Sequence, residues 1–562
     1  MDKQSRSIIA GQVSEAMTAC RDGWKVLKRR GPSQLQFWFL ALLIGIAAGF
    51  AALFFRKGIT WLQSTVYGTE DIRAIHTFAE TLPWYWVLVV PILGGLAVGL
   101  IFHWFTPDGR VRSVADVIEG AAMHDGRVEV KAGLASAAAS LITLSTGGST
   151  GREGPVVHLA AVISTKVSDW IDARGITGRD LLGCAVAAAV SASFNAPIAG
   201  ALFALEVVLR HFAVHAFAPI AIAAAAGTVI NRLEFGGLTE YTLAEEGTLQ
   251  FYVELPAFLI LGLVSGLVAV VFMRAIFWSE DMGTWLQERY RIHGILRPAI
   301  AGAILGGIAI AYPHIIGVGY ETVSAALTGN LLLHEAIVFT MIKTIAVAVT
   351  MGGRMGGGVF SPSLMVGAMT GLAFGIIATG FFPEVSGSET IYALAGMGAV
   401  AAAVLGAPIS TTLIVFELTG DWQTGLAVMV AVSVSTALAS RMVDRSFFLT
   451  QLERRGVHLA AGPQAYLLAM YRVANVMRTP DDPKAPPEDE VWKAIEDGVS
   501  IGPNSTLEDA MPMFDATGRP FLPVVEMGGE AKAPKLRGVL FQVDALKAYN
   551  RALAATAAEE HS

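Results

Sequence analysis

Glu153 stands between Gly151-Arg152 and Gly154-Pro155, in the middle of apolar sequence. A carboxylate flanked by glycines and followed by proline describes a bent, accessible backbone that then enters a helix, because proline suits the first helical position. Free N–H groups at such a helix start attract anions. A carboxylate directed there at membrane depth is costly, which marks Glu153 for function. The plainer alternative is a surface loop with a solvated Arg152–Glu153 pair. A second Gly-rich break, Gly358-Val359-Phe360-Ser361-Pro362, has the same outline. Several helix starts converging on one point would hold an anion by partial charges worth about 0.3–2 kcal/mol each, with no full positive charge to trap it. A different chemistry would use Ser361 as a nucleophile with His158 as base. No Gly-x-Ser-x-Gly elbow or paired His-Asp arrangement supports that intramembrane enzyme.

The elements that must position these breaks are apolar helices. Of 562 residues, 54% are hydrophobic and only 15% charged, and the mean hydropathy is +0.55. That composition describes a membrane protein with a soluble appendage. The net charge of −7 is concentrated at the two ends and in loops. Two cysteines, Cys20 and Cys184, give neither a disulfide framework nor a metal site. Fifty-nine glycines and 23 prolines imply close-packed and broken helices. Residues 1–33 are polar and basic, with no cleavable signal, so the positive-inside tendency places the N-terminus in the cytoplasm.

Spans are expected at 34–55 and 84–105, the second anchored by Trp84, Tyr85, Trp86 and Trp104. From 113 to 231 the apolar pieces are short and broken. Further segments follow at 254–277, 297–312, 334–351, 361–380, 391–404 and 422–442. Ala196-Pro197-Ile198 leads through apolar sequence to Glu206, and Ala407-Pro408-Ile409 leads at the same spacing to Glu417, 211 positions on. With the two Pro-ended breaks, this gives an internal repeat, about 84–231 and 254–442, whose interface is the expected binding site.

After Arg455 the sequence turns soluble. Residues 457–498, with the Pro- and acid-rich 480–490, suggest a linker. A strand at 499–501, a helix opened by a Ser505–Glu508 capping box and running to about 515, strands at 521–525 and 536–541 around a Gly528-Gly529 turn, and a helix at 544–553 describe a small α/β module over 499–555.

Gly151-Arg152-Glu153-Gly154-Pro155 and Gly358-Val359-Phe360-Ser361-Pro362 resemble two signatures of the CLC family of chloride channels and proton/chloride exchangers. The Phe194–Glu206 and Phe416-Glu417-Leu418-Thr419 stretches are similar to family segments in the expected order. The resemblance covers about 34–456 and implies an all-α membrane fold of inverted repeats with broken, re-entrant helices. The tail, from Val476-Met477-Arg478-Thr479-Pro480 onward, resembles a degenerate cystathionine-β-synthase-like (CBS) domain. Only Asp544 stands where such domains place a ribose-binding acid, which leaves nucleotide binding weakly supported.

The resemblance implies that Glu153 is a gate. Its carboxylate competes with the permeating anion and leaves when protonated. Anion contacts are implied at Ser113, Gly151, Arg152, Gly154, Val359 and Phe360, and at the place of Phe448. Three departures from the family pattern bear on mechanism. The first signature survives only as Arg112-Ser113-Val114-Ala115-Asp116, in which Ser113 would donate to chloride or simply cap a helix. Val207 stands where exchangers carry an inner proton-path glutamate, with Glu206 beside it as a substitute relay or a structural carboxylate. Phe448 stands where the family has a tyrosine hydroxyl, and its loss removes a charge-assisted contact worth about 1.5–3 kcal/mol. These departures point to a passive chloride channel, with a proton/chloride antiporter using another inner relay as the alternative. The resemblance further implies chloride and similar anions as partners, protons on the gate, no cofactor, no metal and no nucleic acid. It implies a homodimer in the cell (inner) membrane bilayer with both termini cytoplasmic. The dimer contact is expected on the helices after His211 and near 391–418.

Overall fold

The computed structural model describes residues 33–560 apart from 70–73, 174, 213, 237–240, 244–250, 444, 458, 460–467, 469–470, 481, 484 and 527–534. The basic segment 1–32 and the Gly528-Gly529 turn lie outside the described residues. The chain divides into two compact units, the larger drawn from residues 1–454 and the smaller mainly from 455–562.

The larger unit is all helix. Seven helices among the described residues are long and apolar enough to cross a membrane. The first runs from Gln34 to Tyr67, well past the expected end at 55. At 1.5 Å per residue its 34 residues reach about 50 Å, against a hydrocarbon core of about 30 Å. It continues because Arg56 and Lys57 are no barrier to a helix that has left the apolar core. The broken region resolves into the helices Val114–Met123, Val130–Ser145, Glu153–Ile171, Ile176–Phe194, Pro197–Phe203 with a π-helical turn Ala204–Leu209, and Val214–Phe235.

A second series follows: Phe251–Arg289, Leu296–Ala311, Tyr320–Leu327, Leu333–Gly352, Phe360–Phe381, Glu389–Leu405, Pro408–Thr419 and Trp422–Met442. Order matches the first series once its start is moved from 84 to Gln34, because Phe251–Arg289, of 39 residues, needs the similarly long Gln34–Tyr67, of 34, as its counterpart. The repeats pack backbone to backbone. A Cβ on Gly95 would lie 2.2 Å from the Pro298 carbonyl oxygen, and one on Gly302 2.1 Å from that of Pro91. Small residues four apart, Gly95 with Gly99 and Gly302 with Gly306, let Trp84–Phe105 and Leu296–Ala311 touch.

Outward faces are apolar. Trp84, Tyr85 and Trp104 are more than half exposed at the two ends of their helix, as interface anchors are. One part of the expected dimer face is corrected. Glu389–Leu405 is buried from Thr390 to Leu405 inside its own chain, since it packs on Phe360–Phe381 through Gly367, Gly371 and Gly396. Within the rest of the expected face, Phe217 and Ile409 are among the exposed apolar side chains.

In the smaller unit, Phe521–Glu526 and Lys535–Phe541 pair antiparallel, with Phe521 opposite Phe541, and Gln542–Glu560 follows as a helix. The expected strand at 499–501 is reduced to a bridge between Ile501 and Val524, since Gly502-Pro503 ends it at once. The capping box lies one residue later than expected. The Thr506 hydroxyl accepts from Asp509 N–H at 3.3 Å, and Asp509 accepts from Thr506 N–H at 2.9 Å. That register points Leu507, Ala510 and Phe514 into the core. The segment 457–498 is not a plain linker. Val473 joins the same core, and Glu488–Glu496 buries Val491 and Ala494 against Phe521 and Val539. Acidic composition hid that two-residue face.

Candidate functional site

The two glycine breaks meet. Gly151 N–H donates to the Gly358 carbonyl at 2.7 Å, and Gly358 N–H donates back to Gly151 at 2.9 Å. Thr150 Oγ1 donates to the same Gly358 carbonyl at 2.9 Å. This antiparallel bridge fixes the starts of Glu153–Ile171 and Phe360–Phe381 side by side. Gly356 and Gly357 feed it at φ +96° and +117°, a backbone open to glycine alone at little cost. Both helices begin two residues before their proline, so Pro155 and Pro362 are third, not first. Proline still fits there, because the first four N–H groups of a helix have no partner within it. Glu153 thereby becomes the first helical residue of its own helix.

Glu153 is 2% exposed. Its Oε1 accepts from the Ser361 hydroxyl at 2.6 Å, and its Oε2 is 3.4 Å from Ser361 N–H. The carboxylate therefore lies at the start of the opposite repeat's helix, where a free anion would be held. Arg152 is a weaker partner, with its Nε 3.9 Å from Oε1. The Arg152 guanidinium instead donates to the Ser193 carbonyl at 3.0 Å and lies 5.4 Å from the Tyr320 ring. Beyond Tyr320, Glu321 contacts His76 Nδ1 at 3.0 Å. Burial and the stacked His314 push the His76 pKa down to about 4, against the pull of Glu80.

The residues next to Glu153 and Ser361, Gly154 and Phe360, line a small cavity of about 10 Å³, room for about one water-sized sphere. Ser113, Gly154, Val359, Phe360, Phe447, Phe448 and Gln451 help line it. Sequence spacing therefore brings Ser113, Gly154, Val359, Phe360 and Phe448 to one place, and Gly151 holds the bridge beside it. Val359 and Phe360 open their helix, and neither N–H has a backbone acceptor among the described residues. Ser113 is not a simple cap: Asp116 Oδ2 accepts Ser113 N–H at 2.8 Å, which leaves the hydroxyl to the cavity. Where the resemblance expects glycines, Arg112 is tied to Glu129 by its Nε at 2.9 Å and to Asp108 by its Nη1 at 2.8 Å.

Three contributors escaped the sequence reading. Ser361 was weighed only as a nucleophile, yet its hydroxyl is spent on Glu153, while His158 Nδ1 faces the Ser113 carbonyl at 3.4 Å. That separates the nucleophile from its base. Asp116 adds a buried carboxylate at the start of Val114–Met123, which weakens that helix end as an anion site. Gln451, one turn beyond Phe448, is 8% exposed, and its Oε1 has no hydrogen-bond partner among the described residues. Its side-chain amide carries both an acceptor and two N–H donors, and it lines the cavity. A polar residue three after an aromatic, at the start of a short helix, was the available signal.

The two acidic repeat residues are crossed. Glu206 accepts from Ile409 N–H at 2.9 Å and Ser410 N–H at 2.8 Å, and Glu417 accepts from Ile198 N–H at 3.0 Å and Ala199 N–H at 2.8 Å. Each caps the proline-started helix of the other repeat. Val207, next to Glu206, is buried in the π-helical turn. In the smaller unit, Asp544 is held by Arg478 Nε at 2.6 Å, with the guanidinium 4.5 Å from the Phe541 ring.

Comparison with known proteins gives a consistent picture. The model of the voltage gated chloride channel family matches residues 94–440. A ClcB-like chloride channel protein of Ralstonia nicotianae is 31% identical over 396 residues, 70% of this chain and 91% of the relative. An H(+)/Cl(−) exchange transporter, ClcA, of Yersinia pseudotuberculosis is 27% identical over 480 residues, 81% of this chain and 94% of the relative. Among solved structures, a slow cyanobacterial Cl−/H+ antiporter superposes with a TM-score of 0.66 at 21% identity, covering 75% of this chain and 98% of that one.

Proposed function

The chain belongs to the voltage-gated chloride channel (CLC) family of membrane channels and transporters, and from that premise we propose that it is a passive chloride pathway gated by Glu153. The observation that carries the reading is the Glu153 carboxylate on the Ser361 amide and hydroxyl, at the start of the helix whose Phe360 lines the cavity. An ionised carboxylate there takes the place of the permeating anion. Protonation removes its charge and frees the position. Chloride then passes between the Ser361 amide above and the Val359 and Phe360 amides, the Ser113 hydroxyl and the Gln451 amide below. The Gln451 donors stand in for the hydroxyl that Phe448 lacks. The same reading places the protein in the cell membrane as a homodimer with both termini cytoplasmic. Asp544, already paired, is no part of it, and neither is a nucleotide.

Passive flow rests on Val207, which cannot carry a proton, and on Glu206, whose carboxylate is committed to capping. A second reading, proton/chloride exchange, is favoured by the 27% identical relative named as an exchanger. The two readings separate in proteoliposomes. With a chloride gradient fixed and an opposing pH gradient of two units imposed, the reversal potential of a channel stays at the chloride value. A shift in fixed proportion to the pH gradient establishes exchange and removes the channel reading.

The latch makes its own prediction. Ser361→Ala deletes a charge-assisted hydrogen bond at 2.6 Å and leaves the amide of residue 361 in place. Such bonds contribute about 1.5–3 kcal/mol, and this one favours the ionised, closed gate. The variant should conduct at higher pH than the parent, since less acid is needed to release Glu153. Flux-against-pH curves that superimpose would dismiss the latch.

A further inference from the structure

Away from the pathway, on the face where Trp84–Phe105 ends, lies a cavity of about 250 Å³. Two guanidiniums, Arg297 and Arg354, and two imidazoles, His103 and His293, line it, and no carboxylate does. The nearest acid in sequence, Asp108 beside Pro107, is occupied by Arg112 Nη1 at 2.8 Å and Arg110 Nε at 3.4 Å. The lining thus carries positive charge with nothing in it to balance that charge.

The two arginines are held differently. Arg297 is buried, with its guanidinium bonded to the carbonyls of Gly352 at 2.8 Å and Glu280 at 3.1 Å, to Thr284 Oγ1 at 3.2 Å and to Gln287 Oε1 at 3.1 Å. These acceptors are neutral, so the wall is rigid and keeps its charge. Arg354 is half-buried, and its guanidinium makes no hydrogen bond or ion pair among the described residues. Its φ is +55°, a conformation costing an ordinary residue about 1–2 kcal/mol. Glycines at 352, 353, 356 and 357 show that this loop has the residue that adopts such angles freely. An arginine kept there is kept for its charge. The Arg297 and Arg354 charges also oppose one another across the site, a repulsion that a bound anion relieves.

We infer that this cavity is a second anion site, separate from the conduction path, that takes a phosphate-bearing group. A phosphomonoester carries about −1.5 to −2 at neutral pH, which matches two guanidiniums, and arginine is the residue suited to its bidentate recognition. The volume falls below the roughly 300–1,000 Å³ of pockets for drug-sized ligands, so it suits one phosphate with its linkage, not a whole nucleotide. The source is either a free phosphate compound or a lipid headgroup at the membrane surface. Arg354 belongs to the loop that runs from Gly352 to the Gly358 bridge, and a Cβ on Gly109 would lie 3.9 Å from its Nη1. An occupant therefore grips both loops that lead into the pathway, one to Ser113 and one to Val359.

The test uses the purified full chain. Inorganic phosphate is titrated calorimetrically in detergent, and nanodiscs containing phosphatidic acid are compared with nanodiscs of phosphatidylcholine by native mass spectrometry. The variants are Arg354→Asn, whose side chain tolerates positive φ, and the double change His103→Ala with His293→Ala, which leaves the loop intact. Binding of either probe that weakens about tenfold or more in both variants supports the site. Response to inorganic phosphate points to a soluble source, and response to phosphatidic acid alone points to a headgroup. Absence of binding by both probes, or binding indifferent to both variants, overturns the inference. Neither readout depends on how Glu153 gates.

Discussion

Glu153→Gln is expected to raise chloride flux through the reconstituted protein by about tenfold or more and to remove its dependence on pH. The amide matches the carboxylate in volume, so the packing of this side chain, 2% exposed, is kept. What changes is charge. The ionised Glu153 accepts from the Ser361 hydroxyl at 2.6 Å and lies near its N–H, at a helix start whose partial positive charge favours an anion. Glutamine keeps the chance of one hydrogen bond and loses the charge–dipole attraction, so chloride competes for the position unopposed. A charge-assisted contact of about 1.5–3 kcal/mol corresponds to roughly ten- to 150-fold in the ratio of closed to open gates. With no carboxylate to titrate, acid has nothing to act on. Flux that keeps the parental pH profile in this variant would remove Glu153 from its role and return it to a structural pair with Arg152. Arg152 itself argues against that outcome, since at 3.9 Å it is the more distant of the two partners.

How much of this was legible in the sequence depends on distance along the chain. The helix starts at Glu153 and Phe360 could be read because glycine and proline announce a broken helix locally, and because the break occurs twice. The same periodicity gave the repeat. It did not give the first repeat's beginning, since Gln34–Tyr67 carries basic residues in mid-course where an apolar count stops. Ser361 went unread as a latch because its partner lies 208 residues away, and nothing local distinguishes a serine facing solvent from one facing a carboxylate. Gln451 was hidden for the same reason. Glu206 could be found, but not interpreted: its commitment to Ile409 and Ser410 is visible only once the two repeats are folded against each other. In the smaller unit, Val491 and Ala494 are two apolar residues within an acidic stretch, too few for a periodic signal yet enough to pack.

The crossed caps also explain why Val207 is informative. Were Glu206 free, it could move a proton one residue away from the expected station. Bound to two backbone N–H groups of the opposite repeat, it cannot leave without exposing the start of Pro408–Thr419. The repeat interface is thus held at Glu206, and in the proposed gating the carboxylate that moves is Glu153. That asymmetry between Glu206 and Glu153, two glutamates at helix starts, is one of hydrogen-bond number: two backbone donors and the Ser410 hydroxyl against one hydroxyl and one long amide contact.

Phe448→Tyr should tighten chloride binding about tenfold or more and slow its passage. Phe448 is 3% exposed and helps line the cavity with Ser113 and Gln451, so a hydroxyl added to its ring supplies a further donor. A neutral donor to an anion contributes about 1.5–3 kcal/mol, and a site that holds its ion longer releases it more slowly. Calorimetric titration of chloride gives the first quantity and unitary flux the second. Phe447→Tyr is the comparison, because Phe447 is adjacent and lines the same cavity but has its ring packed against two others. The Phe447 ring stacks on Phe277 with centroids 5.1 Å apart and meets Phe448 edge-on at 5.9 Å. A hydroxyl there enters an aromatic layer and costs roughly 1–3 kcal/mol of stability if left unpaired, without improving chloride binding. Tighter binding from Phe447→Tyr and none from Phe448→Tyr would move the anion to the other ring. Tighter binding from neither would leave Gln451, one turn on, as the donor that has already taken the hydroxyl's place.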